Sequence, residues 1–175
     1  MTAVAGAGGS VAAVPVMAYV SAGSNVEPVA HLRMAIARLR ECFGPLTLSA
    51  VYRSRAEGFV GEDFLNLVLG FATRETPQDI VRKLEELHAA AGRVRGGERF
   101  GPRTLDLDLL LYGDQVIASP PVPRRDITEY GFVLGPLAEI APGLRHPVTG
   151  ETIASLWQRF DQARHPLHRV ALSLS

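Results

Sequence analysis

The chain has 175 residues, 47% hydrophobic and 21% charged, with eighteen basic residues against eighteen acidic ones. One domain with a sizeable core fits that length, and the zero net charge excludes a global electrostatic field for nucleic acid. Cys42 is the single cysteine, which excludes intramolecular disulfides and multi-cysteine metal sites and fits a reducing, cytoplasmic setting.

No apolar run reaches the roughly 18 residues of a membrane span, so a membrane partner is not expected. Lys83 is the only lysine, so almost all positive charge is arginine. Any one arginine is therefore weaker evidence for phosphate than usual. Residues 1–16, MTAVAGAGGSVAAVPV, lack the positive start of a secretory signal. They are expected to form a disordered tail, with Met17 as an alternative start and residues 17–175 as a single domain.

Residues 17–21 read as a short buried strand. A turn follows at Ala22-Gly23-Ser24-Asn25, with Ser24 or Asn25 as cap of the next helix and Pro28 in its first turn. Val29, Leu32, Ile36, Leu39 and Phe43 recur at helical spacing, and Gly44-Pro45 ends that helix. Residues 46–54 alternate like a strand, 55–63 like an exposed loop, and 64–72 like a second strand, together a long-looped hairpin. Thr76-Pro77 opens another helix with Asp79 near its positive end. Ile80, Leu84, Leu87 and Ala91 form its buried stripe, and Gly92 ends it.

Residues 93–104 are a glycine- and arginine-rich loop, 105–112 a strand, 113–114 a turn and 115–118 a short return strand. The prolines of 120–123 break regular structure. Residues 132–140 and 153–160 read as helices and 168–174 as a last strand. The order β-α-β-β-α-β predicts an α+β, ferredoxin-like core: an antiparallel sheet with helices packed on it in three layers, α-β-α.

The chemistry concentrates at residues 99–110, RFGPRTLDLDLL. In a strand, i and i+2 share a face roughly 6.6 Å apart, so Asp106 and Asp108 project together while the alternating leucines face away. Two such carboxylates repel unless a cation sits between them. Mg²⁺ takes one or two carboxylates plus substrate phosphates, and two metals about 3.5–4 Å apart could be bridged here. Arg93, Arg95, Arg99 and Arg103 precede the acids. Arginine forks grip phosphate oxygens, and the interspersed glycines allow close approach. Together they supply both charges that a Mg²⁺–nucleoside triphosphate needs. No G-x-x-x-x-G-K-[ST] loop is present. The histidines have no informative spacing, and His31 and His88 read as surface or boundary residues of their helices.

With these residues in place, the chain resembles the 6-hydroxymethyl-7,8-dihydropterin pyrophosphokinase family. RFGPRTLDLDLL is similar to its signature. YVSAGSNV at 19–26, VYRS at 51–54, DFLNLV at 63–68, GRVR at 92–95 and GFVLGPLAEIAP at 131–142 follow in collinear order. The resemblance implies ATP- and Mg²⁺-dependent transfer of pyrophosphate to the hydroxymethyl group of a reduced pterin, releasing AMP, in folate biosynthesis.

It implies that Asp106 and Asp108 hold magnesium, two ions in all. It implies that Arg93, Arg95, Arg99, Arg103 and Leu109 lie at the nucleotide, with Arg93, Arg95 and Arg103 joining the acids in catalysis. Ser54, Phe64, Asn66 and Phe132 match the pterin pocket, where two aromatic faces suit a flat heterocycle and an amide reads its edge. A monomer with two small-molecule substrates and no nucleic acid is implied as well.

Departures cluster on the nucleotide side. His88 stands where a glutamate is common, Tyr130 for an arginine and Phe100 for a tryptophan. PPVPRR at 120–125 lacks the family's histidine, and Arg124 or Arg125 stands nearby instead. A paralogue acting on another pterin, or binding one without efficient catalysis, is the alternative these departures raise. A nucleic-acid module using the arginine loop ranks below both, because it would not need the paired acids.

Overall fold

The computed structural model describes residues 14–55, 62–92 and 105–174. The chain runs β1 (Val16–Ser24), α1 (Pro28–Phe43), β2 (Thr47–Leu48), β3 (Val51–Ser54), β4 (Phe64–Thr73), α2 (Pro77–Ala90) and β5 (Asp106–Tyr112). Beyond these come α3 (Asp126–Glu129), α4 (Gly131–Ile140), α5 (Ile153–Arg159) and β6 (His168–Val170). The sheet order is β5-β1-β4-β3-β6, with β2 also on β4 and every pairing antiparallel. This is the expected ferredoxin-like core, extended by β6 at one edge.

Strand alternation sends the two sheet faces to different partners. Ala18, Val20 and Ala22 of β1, Leu65, Leu67, Leu69 and Phe71 of β4, and Leu105, Leu107 and Leu109 pack with Leu32, Ile36 and Leu39 of α1 and Ile80 and Leu84 of α2. On the other face Val68, Leu110 and Leu111 meet Val133, Leu134 and Leu137 of α4 and Ile153 and Leu156 of α5. The three-layer arrangement follows, with α4 and α5 as the second helical layer. Among the described residues, no helix is long and apolar enough to cross a membrane.

Local chemistry explains most element ends. Thr76 caps α2 by accepting from the Asp79 amide at 3.2 Å, with Pro77 in the first turn, as the sequence predicts. The cap of α1 differs from expectation. It is Glu27, at φ 43° and ψ 55° with no side-chain cap bond, because β1 extends through Ser24 and the Ser24 hydroxyl donates to the Val26 carbonyl. Pro28 is the first helical residue, where its missing N–H costs nothing.

The strand expected over 46–54 breaks at Ser49-Ala50. Ser49 Oγ accepts the Val68 amide, and the Ala50 amide turns to Glu139 Oε2 of α4 at 2.6 Å. The return strand expected at 115–118 is absent: within it only Ile117 makes a bridge, to Val122. The last strand is confined to 168–170. β1 starts at Val16, inside the segment expected as a tail over 1–16, and residues 1–13 lie outside the described residues.

Candidate active site

Register, more than sequence proximity, assembles the site. Asp106 on β5 pairs with Gly23 on β1, Gly23 with Asn66 on β4, and Asn66 with Tyr52 on β3. Paired residues share a face, so these four form one row across the sheet. Asp108, Ser21 and Val68 form the next row. Strands are about 4.8 Å apart, which separates the β5 acids from Asn66 by roughly 10 Å of sheet paved only by Gly23 and Ser21. The small residues leave floor space between an acidic edge and a polar interior position.

The acidic edge rests on a bulge. Tyr19 pairs with Leu111 but Val20 with Leu109, so Leu110 is an extra residue in β5. Leu109 therefore stays with the α1/α2 core, while Leu110 and Leu111 both turn toward α4. The Leu110 carbonyl accepts the Arg124 amide at 2.9 Å, which brings the backbone of residue 124 to the outer edge of β5. From there the Arg124 guanidinium lies 3.5 Å from Asp108 Oδ1 and 3.3 Å from Asp126 Oδ2. Burial alone would lower the Arg124 pKa, but Asp108, Asp126 and Asp106 together raise it above the ordinary arginine value. A fixed cation thus stands against the acid pair.

At the interior position, Asn66 Nδ2 donates to Ser54 Oγ at 2.7 Å, and both side chains are buried. Ser54 pairs across the hairpin with Phe64, so the two side chains share a face of the sheet. A Cβ on Gly23 would come within 2.9 Å of Asn66 Oδ1, so the amide fits because residue 23 is glycine. Phe132, near the start of α4, stacks on Tyr130 at 5.0 Å between ring centroids. Farther along α4, Glu139 accepts from the Tyr52 hydroxyl as well as from Ala50, fastening the helix to β3. Burial first, and then Glu139, pushes the Tyr52 phenol up to about 12.

The expected residues fall into three groups. Asp106, Asp108, Asn66, Ser54 and Phe64 share one face of the sheet, and Arg124 joins them through Asp108. Leu109 does not, because strand alternation buries its side chain in the α1/α2 core. Arg125 also points elsewhere: it is 90% exposed and pairs with Glu129 at 3.0 Å. Arg93, Arg95, Arg99, Arg103 and Phe100 lie outside the described residues.

Tyr130 faces the Phe132 ring. His88 corrects the sequence reading outright. It is 3% exposed, and its Nε2 accepts the Leu107 amide. Spacing could have found it, since His88 follows Leu84 and Leu87 on the buried stripe of α2. Gly23 and Ser21 had no local signal, because their role is set by strands distant in sequence.

Paired carboxylates, a half-buried cation beside them and neighbouring polar and aromatic side chains on one face of a ferredoxin-like sheet fit an enzyme of phosphoryl-group transfer. The family model for 7,8-dihydro-6-hydroxymethylpterin-pyrophosphokinase (HPPK) matches residues 19–142. Two relatives, each named 2-amino-4-hydroxy-6-hydroxymethyldihydropteridine pyrophosphokinase, extend the match. That of Aquifex aeolicus is 38% identical over 136 residues, 74% of this chain and 83% of the relative. That of Methylorubrum extorquens is 39% identical over 150 residues, 82% and 93% of the two chains. The chain belongs to the HPPK family.

Among solved structures, wild-type Plasmodium falciparum HPPK-DHPS superposes with a TM-score of 0.65 at 12% identity. The superposition covers 83% of this chain and 44% of that longer one, and it shows the common fold.

Proposed function

We propose that the protein transfers pyrophosphate from ATP to the hydroxymethyl group of 6-hydroxymethyl-7,8-dihydropterin, releasing AMP, in folate biosynthesis. The row Asp106–Gly23–Asn66, inside a chain of this family, carries the reading. It sets a place for charge and a place for a heterocycle side by side. The relatives from Aquifex aeolicus and Methylorubrum extorquens bear the same enzyme name, which favours this substrate over another pterin.

In this reading the pterin edge meets the Asn66 amide, pre-oriented by Ser54, and its ring lies against Phe64 and Phe132. The pterin hydroxyl attacks the β-phosphorus, the bond from that phosphorus to the α-phosphate oxygen breaks, and the hydroxyl proton is lost. Positioning on a rigid sheet supplies most of the acceleration.

Asp106 and Asp108 are suited to Mg²⁺. Among the described residues no third His, Cys, Asp or Glu joins them, and Mg²⁺ usually completes its shell with phosphate oxygens and water. When bound, it would neutralise triphosphate charge. Arg124 offers its cation beside the same phosphates, and Arg93, Arg95, Arg99 and Arg103 supply further positive charge. The protein acts in the cytoplasm as a monomer on two small molecules.

The test is AMP formation by purified protein, which should require both Mg²⁺ and the reduced pterin. Asp106→Ala and Asp108→Ala should each abolish it with the fold retained by circular dichroism. No AMP from the wild-type chain, or near-normal turnover in either variant, would refute the assignment.

A further inference from the structure

Among the described residues β5 is an outer strand, so its amides that point away from β1 have no neighbouring strand to bind. The Leu107 amide, which lies between the two acids, donates to His88 Nε2 at 2.8 Å in a buried contact. An amide only donates, so Nε2 is the unprotonated nitrogen and the ring proton sits on Nδ1. Nδ1 in turn lies 3.4 Å from Glu85 Oε1, one turn earlier on α2. A carboxylate, an imidazole and a strand amide are thus in series. The arrangement parallels outer-shell partners that fix a ligand's orientation without touching the metal.

From this geometry we infer that His88, oriented by Glu85, is a positioning residue for the acid pair. It anchors Leu107 to α2 and thereby holds Asp106 and Asp108 at one place along the outer edge. The pairing of β5 with β1 sets the register of the acids, and the bond to His88 ties the opposite edge of the strand to α2. The inference rests on Asp106 and Asp108 being the Mg²⁺-holding pair. Its second consequence, protection of the Leu107 amide, does not depend on that reading.

The test compares His88→Leu, His88→Gln and Glu85→Ala with the wild type. Gln can present an acceptor to the Leu107 amide and Leu cannot. Two readouts are needed: amide hydrogen exchange at Leu107, and calorimetric titration of Mg²⁺ in the presence of α,β-methylene ATP.

Loss of one anchoring bond should speed Leu107 exchange in His88→Leu by about tenfold or more and weaken Mg²⁺ binding by roughly fivefold. The pterin KM should be unchanged. Gln should restore both readouts. Glu85 is exposed, so its removal tests the series even where His88→Leu does not fold, and it should shift both readouts in the same direction by less.

Unchanged exchange and Mg²⁺ binding in folded His88→Leu would overturn the inference. So would Glu85→Ala indistinguishable from wild type, or loss of Leu107 protection in folded His88→Gln. If Asp106→Ala leaves Mg²⁺ binding intact, the metal reading fails separately, and Leu107 exchange still decides whether His88 is the anchor.

Discussion

Gly23→Ala tests the site through a contact that only the folded chain makes. The new Cβ would stand 2.9 Å from Asn66 Oδ1, closer than real Cβ contacts allow, while the next nearest atom outside residue 66 is the Leu65 carbonyl at 3.8 Å. Asn66 must therefore move, and its movement breaks the 2.7 Å bond to Ser54. A buried neutral hydrogen bond contributes about 1 kcal/mol. Misplacing the amide against the pterin edge costs about as much again. The first cost falls on the free protein and so on stability; the second falls on binding and, at about 1.4 kcal/mol per decade, weakens it roughly fivefold.

Stability should change little. Replacing glycine inside a strand recovers roughly 0.5–1 kcal/mol of backbone entropy, which offsets part of the crowding. Calorimetry with the pterin and thermal denaturation separate these two effects. The same substitution in an Asn66→Ala background should cost almost nothing, since the colliding atom is gone. Pterin affinity unchanged in Gly23→Ala, or an equal loss in both backgrounds, would refute the proposed geometry.

Two further outcomes follow from groups away from the acids. Glu139→Ala should leave the Ala50 amide without its acceptor and destabilise the protein by about 1 kcal/mol in a denaturant titration. The Tyr52 phenol, now at about 12 against 10.0 for a free tyrosine, should fall part of the way back, because burial is the larger cause and remains. The folded value is the higher one. The phenol's contribution to stability is therefore complete below pH 10 and fades as pH rises toward 12, a loss that tyrosinate absorbance would follow.

His146 has the opposite sense. Its buried ring, accepting from the Val148 and Thr149 amides at Nδ1, is held below the usual 6.5, Glu151 only partly opposing the effect of burial. Stability should be full above pH 6.5 and decline as pH falls below it. His146→Asn keeps an acceptor at the Nδ1 position and should flatten that acid limb in thermal denaturation. An unchanged slope would rule His146 out as its source.

The sequence by itself determined what depends on neighbours within a few residues. Strand alternation put Asp106 and Asp108 on one face, helical spacing chose the buried stripes of α1 and α2, and Thr76-Pro77 marked a helix start that the hydrogen bond to Asp79 satisfies. Resemblance extended this to Ser54, Asn66 and Phe64, which lie where the pairing of β3 with β4 joins them.

Tertiary structure decided the rest, because the deciding interactions are long-range. Register made Gly23 the floor between the acids and Asn66. The Leu110 bulge and its carbonyl brought Arg124, rather than Arg125, to Asp108. Packing of α2 beside an outer strand turned His88 from an apparent boundary residue into a buried acceptor, since the outward-pointing Leu107 amide requires one.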